Sequence, residues 1–389
     1  MESSGLKILF LIRALGIGGA ERQLVELASA LHRAGWVVTV VTFYAGGALA
    51  PVLEGAGVKL VSVGKRGRWE IFSFMGRLVS VLRKEAPDIA HGYLEISNLM
   101  LVVLRPLLRG AAVIWGVRAS NMDLTRYDLT WRIAYRIGAR LSRFADLVIC
   151  NSDAGRAYHV EQGYRRDRMA VIPNGIDVEY FSPDVQARCD LRSEWHVGAA
   201  EYLIGVVARL DPMKDHETFL RAAAQLLRVR HDARFVCVGE GPQDYAGHLV
   251  TLAASLGLQN RVIWAGARQD MNRVYSALDL VVSSSAFGEG FPNVVAEAMA
   301  AGVPCVVTNV GDSAKVVGEH GIVCPPGDSA ALSEAMLGAL SALPADANGL
   351  RESIRSRFSS SALCERTATA LQALLLYRAG SGPRVRPIS

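Results

Sequence analysis

Lys7-Ile8-Leu9-Phe10-Leu11-Ile12 is followed by an amphipathic segment, Ala20–Ala34, closed by Gly35, and then by a second β-rich run, Val37–Phe43. An apolar run, a segment of helical period and another apolar run in close succession read as strand, crossover helix and parallel strand. The same alternation continues through Asp88–His91, Ala111–Gly116 and Leu147–Asn151. Pro173-Asn174-Gly175 is a turn signal, and the polar stretch after it contains Pro183. The alternation then restarts with Leu203–Ala208, Arg234–Val238, Val262–Trp264, Leu280–Ser283 and Pro304–Thr308. Two doubly wound, Rossmann-like parallel-sheet domains in tandem are expected, an α/β chain whose facing strand ends form one interdomain cleft.

Bulk properties agree with this reading. A chain of 389 residues exceeds what one core comfortably fills, and 51% hydrophobic with 20% charged residues describes a folded protein. The expected division is an acceptor domain over 1–180 and a donor domain over 181–365. A helix over 366–389 then packs back on the first domain and ends in a disordered tail. The apolar opening Leu6–Ile12 runs straight into Arg13, too short for a secretory segment, and no run reaches the roughly 18 apolar residues of a membrane span. The six cysteines are dispersed without a Cys-x-x-Cys pair, which fits reduced buried thiols in a cytoplasmic protein. Residues 1–180 carry a net charge of +7 and the remainder −2. The asymmetry points either to an anionic partner of the first half or to solvated arginines on its helices.

Chemistry is sought in the loops after the strands. Gly16-Ile17-Gly18-Gly19-Ala20-Glu21 opens like a dinucleotide fingerprint, but Glu21 stands where the third glycine belongs, which disfavours an NAD site. What remains is a glycine turn into a helix N-terminus, suited either to an oxyanion or simply to a tight turn. No phosphate-binding Gly-x-x-x-x-Gly-Lys-Ser/Thr occurs, nor any Asp-x-Asp that would bring a divalent ion to a diphosphate, so no metal and no cofactor are expected. Anionic charge then falls to cationic side chains and amides. Arg209-Leu-Asp-Pro-Met-Lys214 offers both cations on one loop, and Glu289-Gly-Phe-Pro-Asn-Val-Val-Ala-Glu297 sets two carboxylates across a loop-to-helix junction, with Pro292 in the first helical turn.

That last segment resembles the Glu-x7-Glu motif of the retaining glycosyltransferases of GT-B fold, family 4, the "group 1" glycosyl transferases. The likeness covers nearly the whole chain, since the Gly18-Gly19 loop, Val171–Asp177, Arg209 with Lys214, Gly239-Glu-Gly-Pro242 and Val310–Ser313 occur in the family's order. The resemblance implies a GT-B fold and transfer of a sugar from a UDP- or GDP-linked donor to a hydroxyl acceptor, in cell-surface glycan synthesis. It implies that Glu289 contacts the donor sugar, Glu297 the ribose hydroxyls, and Arg209 with Lys214 the diphosphate. Amides of Gly18, Gly19, Gly290 and Phe291 complete the cradle with Pro292 and Asn293 at the helix start. Gly239, Gly241 and Gly266 flank the base. Retention follows from same-face attack, in which the departing phosphate oxygen takes the acceptor's proton.

One position departs from the family: where a histidine often follows the strand Ala111–Gly116, this chain has Val117-Arg118. Arg118 either stabilises leaving-group charge, binds an anionic acceptor, or is a surface arginine. His91 is the other candidate at the reacting centre, with a structural histidine as its alternative. The run Arg126, Tyr127, Trp131, Arg132, Tyr135, Arg136, Arg140 and Arg143 reads as a solvated helix face or as a patch for an anionic membrane surface and lipid-linked acceptor, not as a nucleic-acid module. A nucleotide-sugar epimerase or hydrolase on the same fold is the alternative activity, and a silent sugar-nucleotide binding protein a third reading.

Overall fold

The computed structural model describes residues 5–67, 70–118 and 137–380. The chain forms two compact units, Met1–Gly175 with Ser360–Ser389, and Ile176–Ser359.

Unit 1 is built on seven strands, β1 (Lys7–Ile12), β2 (Val37–Thr42), β3 (Lys59–Ser62), β4 (Ile89–Tyr93), β5 (Ala112–Val117), β6 (Leu147–Cys150) and β7 (Met169–Val171). Their order is β3-β2-β1-β4-β5-β6-β7 and every pairing is parallel. Side chains alternate across a strand, so β1 feeds two cores. Ile8, Phe10 and Ile12 pack with Leu24, Leu27 and Leu31 of the helix Gly19–Arg33, whereas Leu9 and Leu11 pack with Phe74, Leu78 and Leu82 of the helix Ile71–Glu85. Burial on both faces explains the unbroken apolar runs of the sequence.

Unit 2 repeats the plan with six parallel strands, β8 (Tyr202–Val207), β9 (Ala233–Val238), β10 (Val262–Gly266), β11 (Leu280–Ser283), β12 (Cys305–Thr308) and β13 (Ile322–Cys324), ordered β10-β9-β8-β11-β12-β13. The strands read from sequence lie within two residues of those observed, but β3, β7 and β13 were not anticipated. All three are edge strands of only three or four residues, too short to stand out as strands, and β3 and β13 are partly exposed.

The described chain ends in two helices, Ala347–Phe358 and Ser360–Arg378. Ser359 between them is extended (φ −65°, ψ 158°) and bridges to Ile176, whose amide also donates to the Phe358 carbonyl at 2.8 Å. Leu350, Ile354 and Phe358 enter the core of unit 2, and Leu363, Ala370, Leu371 and Leu374 that of unit 1. Within unit 1 the Gln23 amide clamps Gly175 reciprocally, donating to its carbonyl at 2.8 Å and accepting from its amide at 2.9 Å.

In each sheet the strand order reverses once, between β1 and β4 and between β8 and β11. The carboxyl ends at these switch points are where an open α/β sheet leaves room for a ligand.

Three histidines are buried. His91 is fully enclosed between the rings of Phe10 (5.2 Å) and Tyr93 (5.0 Å), His159 donates from Nδ1 to the Gly155 carbonyl at 2.7 Å, and His216 is fully enclosed. Burial disfavours the imidazolium in each and lowers its pKa, that of His216 to about 4. An unfolded histidine takes up its proton near pH 6.5, so between there and about pH 4 the unfolded chain binds more protons and stability falls as the pH drops. The His216 contribution amounts to about 3 kcal/mol by the lower limit. Thermal unfolding should therefore move to lower temperature between pH 7 and 4.5, and His216→Gln should flatten the dependence. A midpoint independent of pH over that window would contradict the placement of all three.

Candidate functional site

The polar groups of unit 2 converge at its switch point. After β8 the chain runs through Arg209 and Leu210 to a 3₁₀ turn, Pro212–Lys214. Asp211 caps that turn by accepting from the Met213 amide at 2.9 Å. Asp215, held in the left-handed region (φ 47°, ψ 54°) that Asp tolerates better than most residues, caps the next helix, His216–Leu226, by accepting from Thr218 at 3.1 Å. Lys214 is thus fixed between two aspartate caps.

The loop after β11 lies alongside. Ser284 Oγ donates to the Lys214 carbonyl at 2.9 Å and the Ala286 amide to the Met213 carbonyl at 2.9 Å. These backbone ties bring Lys214 Nζ onto Glu289 Oε1, an ion pair between two largely buried side chains. Ser285 Oγ donates to the same Oε1 at 2.6 Å, and Thr308 Oγ1 holds the Ser285 carbonyl at 2.6 Å. A third loop, after β12, presses on this one: Asp312 donates its amide to the Gly290 carbonyl at 3.0 Å. Gly311 (φ 61°) comes so close that a Cβ there would run into the Glu289 and Gly290 carbonyls.

Pro292 stands one position earlier than expected, as the N-cap of the helix Asn293–Ala300 rather than in its first turn. Its φ of −80° with ψ of 90° keeps it outside the helical region. Asn293 is the first helical residue. Glu297 lies inside the helix, 4% exposed, and accepts from the Tyr275 hydroxyl at 2.7 Å. The Phe291 ring is core, edge-on to Phe358 at 5.1 Å, which leaves only its backbone for a ligand. Arg209 behaves differently from Lys214: its side chain is 74% exposed and its one ionic neighbour, Asp211, is 4.0 Å away. Gly239 and Gly241 follow β9 and back this loop so tightly that a Cβ on either would strike the Ala208 or Leu210 carbonyl. Gly266 ends β10 and accepts from the Gly239 amide at 2.8 Å.

The remaining candidates belong to unit 1. Gly18 is the extended N-cap of the helix Gly19–Arg33, without a side-chain cap, and the stretch Gly16–Gly19 is exposed. His91 is sealed inside the sheet, and both its ring nitrogens lack a partner among the described residues. Arg118 follows β5 directly and stacks on the Tyr93 ring. In the basic aromatic run, Arg126, Tyr127, Trp131, Arg132, Tyr135 and Arg136 lie outside the described residues. Arg140 is exposed and the Arg143 guanidinium lies 4.9 Å from the Phe144 ring centroid.

Ser285 and Tyr275 were not singled out from sequence. The run Ser283-Ser284-Ser285 at the end of a buried strand was a readable signal for the first. Nothing marks Tyr275, one aromatic in a short helix, Met271–Ala277. Among the described residues no helix is long and apolar enough to cross a membrane and no group of His, Cys, Asp or Glu gathers to hold a metal ion.

Residues 201–342 match the family model described as glycosyl transferases group 1, and residues 17–180 the model described as glycosyltransferase family 4. The D-inositol 3-phosphate glycosyltransferase of Nocardiopsis dassonvillei is 30% identical over 329 residues, 76% of this chain and 74% of its own. An Escherichia coli enzyme named UDP-Gal:alpha-D-GlcNAc-diphosphoundecaprenol alpha-1,3-galactosyltransferase is 25% identical over 239 residues, 60% of each chain. The crystal structure of Anabaena HepE in complex with UDP-glucose superposes with a TM-score of 0.84 at 24% identity, over 94% of this chain and 99% of that one. The likeness in fold makes the two tandem parallel-sheet units a GT-B architecture.

Removing either supporting hydroxyl should loosen its carboxylate. Ser285→Ala and Tyr275→Phe are each expected to lower stability by about 1–2 kcal/mol, the usual worth of a buried hydrogen bond. Urea unfolding midpoints with unchanged slopes test this, and two neutral variants would contradict the geometry.

Proposed function

We propose that this chain, which belongs to the group 1, family 4 glycosyltransferases, is a retaining enzyme that moves a sugar from a nucleotide-diphosphate donor to a hydroxyl on a glycan or lipid-linked acceptor. The observation that carries the reading is the meeting of Lys214 and Glu289 at the switch point of unit 2, beside the solvated Arg209. A lysine has three N–H donors, so Lys214 keeps two for phosphate oxygens while the Glu289 carboxylate fixes its direction. Arg209, exposed and only loosely paired, is the cation free to close on the diphosphate from solvent. Each charge-assisted bond is worth about 1.5–3 kcal/mol, concentrated where negative charge develops as the sugar leaves.

Glu289 has a second oxygen for a donor-sugar hydroxyl, and Glu297, held on the helix by Tyr275, is the carboxylate for the ribose. Ser285 and Tyr275 hold the two carboxylates in place, so both are presented without rearrangement. The diphosphate's charge is met by Lys214, Arg209 and the amides of Gly290 and Phe291. The departing phosphate oxygen takes the acceptor proton on the same face of the sugar, which requires no enzymic nucleophile. That HepE is described in complex with UDP-glucose supports a UDP-sugar donor. The diphosphoundecaprenol in the Escherichia coli relative's name supports a lipid-linked acceptor.

A thermal-shift panel of UDP-, GDP- and ADP-sugars, with and without magnesium, tests the donor. One nucleotide class should stabilise the protein equally in both conditions, by about 2.7 kcal/mol at a hundredfold excess over Kd. Turnover should fall by about a hundredfold or more in Glu289→Gln and in Arg209→Ala, the scale of losing one transition-state contact. An α-linked donor should give an α-linked product by NMR. Undiminished turnover in both variants would overturn the assignment.

A further inference from the structure

The donor-side reading leaves unused a polar cluster at the carboxyl ends of the unit 1 strands. Arg118 follows β5, Tyr93 ends β4, Asn151 follows β6 and Asn174 lies just past β7. The Arg118 guanidinium carbon sits 4.5 Å from the Tyr93 ring centroid. Nη2 donates to the Tyr93 hydroxyl and Nη1 to Asn174 Oδ1 at 2.9 Å, while the Arg118 carbonyl accepts from Asn151 Nδ2 at 3.5 Å. Nε is buried and has no acceptor among the described residues.

None of these neighbours is negatively charged. Burial raises the Tyr93 phenol and the Cys150 thiol, the latter to about 12, and lowers His91, so all three are neutral at physiological pH. Asp153, on the helix after β6, already pairs with Arg156 at 2.9 Å. Arg188 and Arg192 share Asp279, and Arg268 holds Asp270 and Glu194, whereas Arg351 is held by the backbone carbonyls of Val178, Phe181 and Ala300. Arg118 has no carboxylate within ion-pair distance among the described residues. A guanidinium removed from water without a counter-charge is unfavourable unless a ligand supplies the charge. Stacking and two neutral acceptors hold the group still, and each Nη keeps a further N–H for which the described residues offer no acceptor. This is the fork that oxyanions accept in pairs.

We propose that Arg118, positioned by Tyr93 and Asn174, anchors an oxyanion-binding subsite in unit 1 that takes a phosphate group carried by the acceptor. That the phosphate belongs to the acceptor rests on the donor reading above, in which Lys214 and Arg209 take the donor's diphosphate.

Inorganic phosphate is the probe, titrated at constant ionic strength into the full chain carrying Arg209→Ala and Lys214→Ala, so that the donor cations do not contribute. Saturable binding is expected there by NMR of labelled arginine side chains. Adding Arg118→Gln should weaken it about tenfold or abolish it, and Arg118→Lys, which keeps the charge but loses the fork, should fall between. In the otherwise unaltered chain, Arg118→Gln should leave UDP affinity unchanged. Phosphate binding that is indifferent to both Arg118 variants would overturn the subsite. UDP affinity that falls with Arg118→Gln would assign the anion to the donor and overturn the acceptor assignment. No UDP binding by the unaltered chain would instead remove the donor reading while leaving the phosphate arm intact. Should Arg118→Gln fail to fold, Arg118→Lys alone decides.

Discussion

A parallel sheet covered by helices on both faces buries its strands in apolar side chains, and the few polar ones within them, such as His91, Thr39 and Thr308, are sealed from solvent. Leu9 and Leu11 point to one core and Phe10 and Ile12 to the other, and Leu203 and Val207 are opposed to Ile204 and Val206 in the same way. Burying an unpaired polar group costs several kcal/mol, so polar chemistry is driven to the strand ends. Of the two ends, the carboxyl side at a reversal of strand order leaves a crevice, because the flanking connections leave in opposite directions. Arg209, Lys214, Ser285 and Glu289 in unit 2, and Gly18, Tyr93 and Arg118 in unit 1, are all found there.

The unit 2 site shows how a loop becomes rigid enough to hold charge. Lys214 does not owe its place to its own side chain: two aspartate caps, a serine hydroxyl and a backbone amide fix the peptide from which it projects. Glu289 is fixed likewise, by Ser285 from one side and by the close approach of Gly311 to its carbonyl from another. Each such bond contributes about 1 kcal/mol in isolation. Their joint effect is geometric, since a cation and a carboxylate 75 residues apart meet with little freedom to rearrange. Arg209, on the same loop, is left largely exposed to solvent.

The two units present a contrast of compensation. Arg192 is buried against Asp279 and backbone carbonyls, and it serves to join a helix to the strand β11. Arg118 is held by neutral groups, Tyr93 and Asn174, with no carboxylate within ion-pair distance among the described residues.

From sequence alone, the two-sheet architecture was legible because burial on both faces writes long apolar runs with a strand and helix rhythm. Arg209, Lys214 and Glu289 could be singled out because they sit in short loops just after those strands, and Glu297 because it follows Glu289 by eight residues on the next helix. The edge strands Lys59–Ser62, Met169–Val171 and Ile322–Cys324 were not, since three or four residues are too few to show a strand period. Nor was the break at Ser359, whose helix-compatible neighbours hide an extended residue bridged to Ile176. Sequence placed His91 and Arg118 as equal candidates, and only the tertiary structure separated them. His91 projects into the closed interior between Phe10 and Tyr93, whereas Arg118 lies beyond the last residue of its strand. Local spacing determines which face of its own element a side chain takes. Whether that face meets a packed ring, a carboxylate or open solvent is decided by residues far away in the chain, and for Arg118 those were Tyr93 and Asn174.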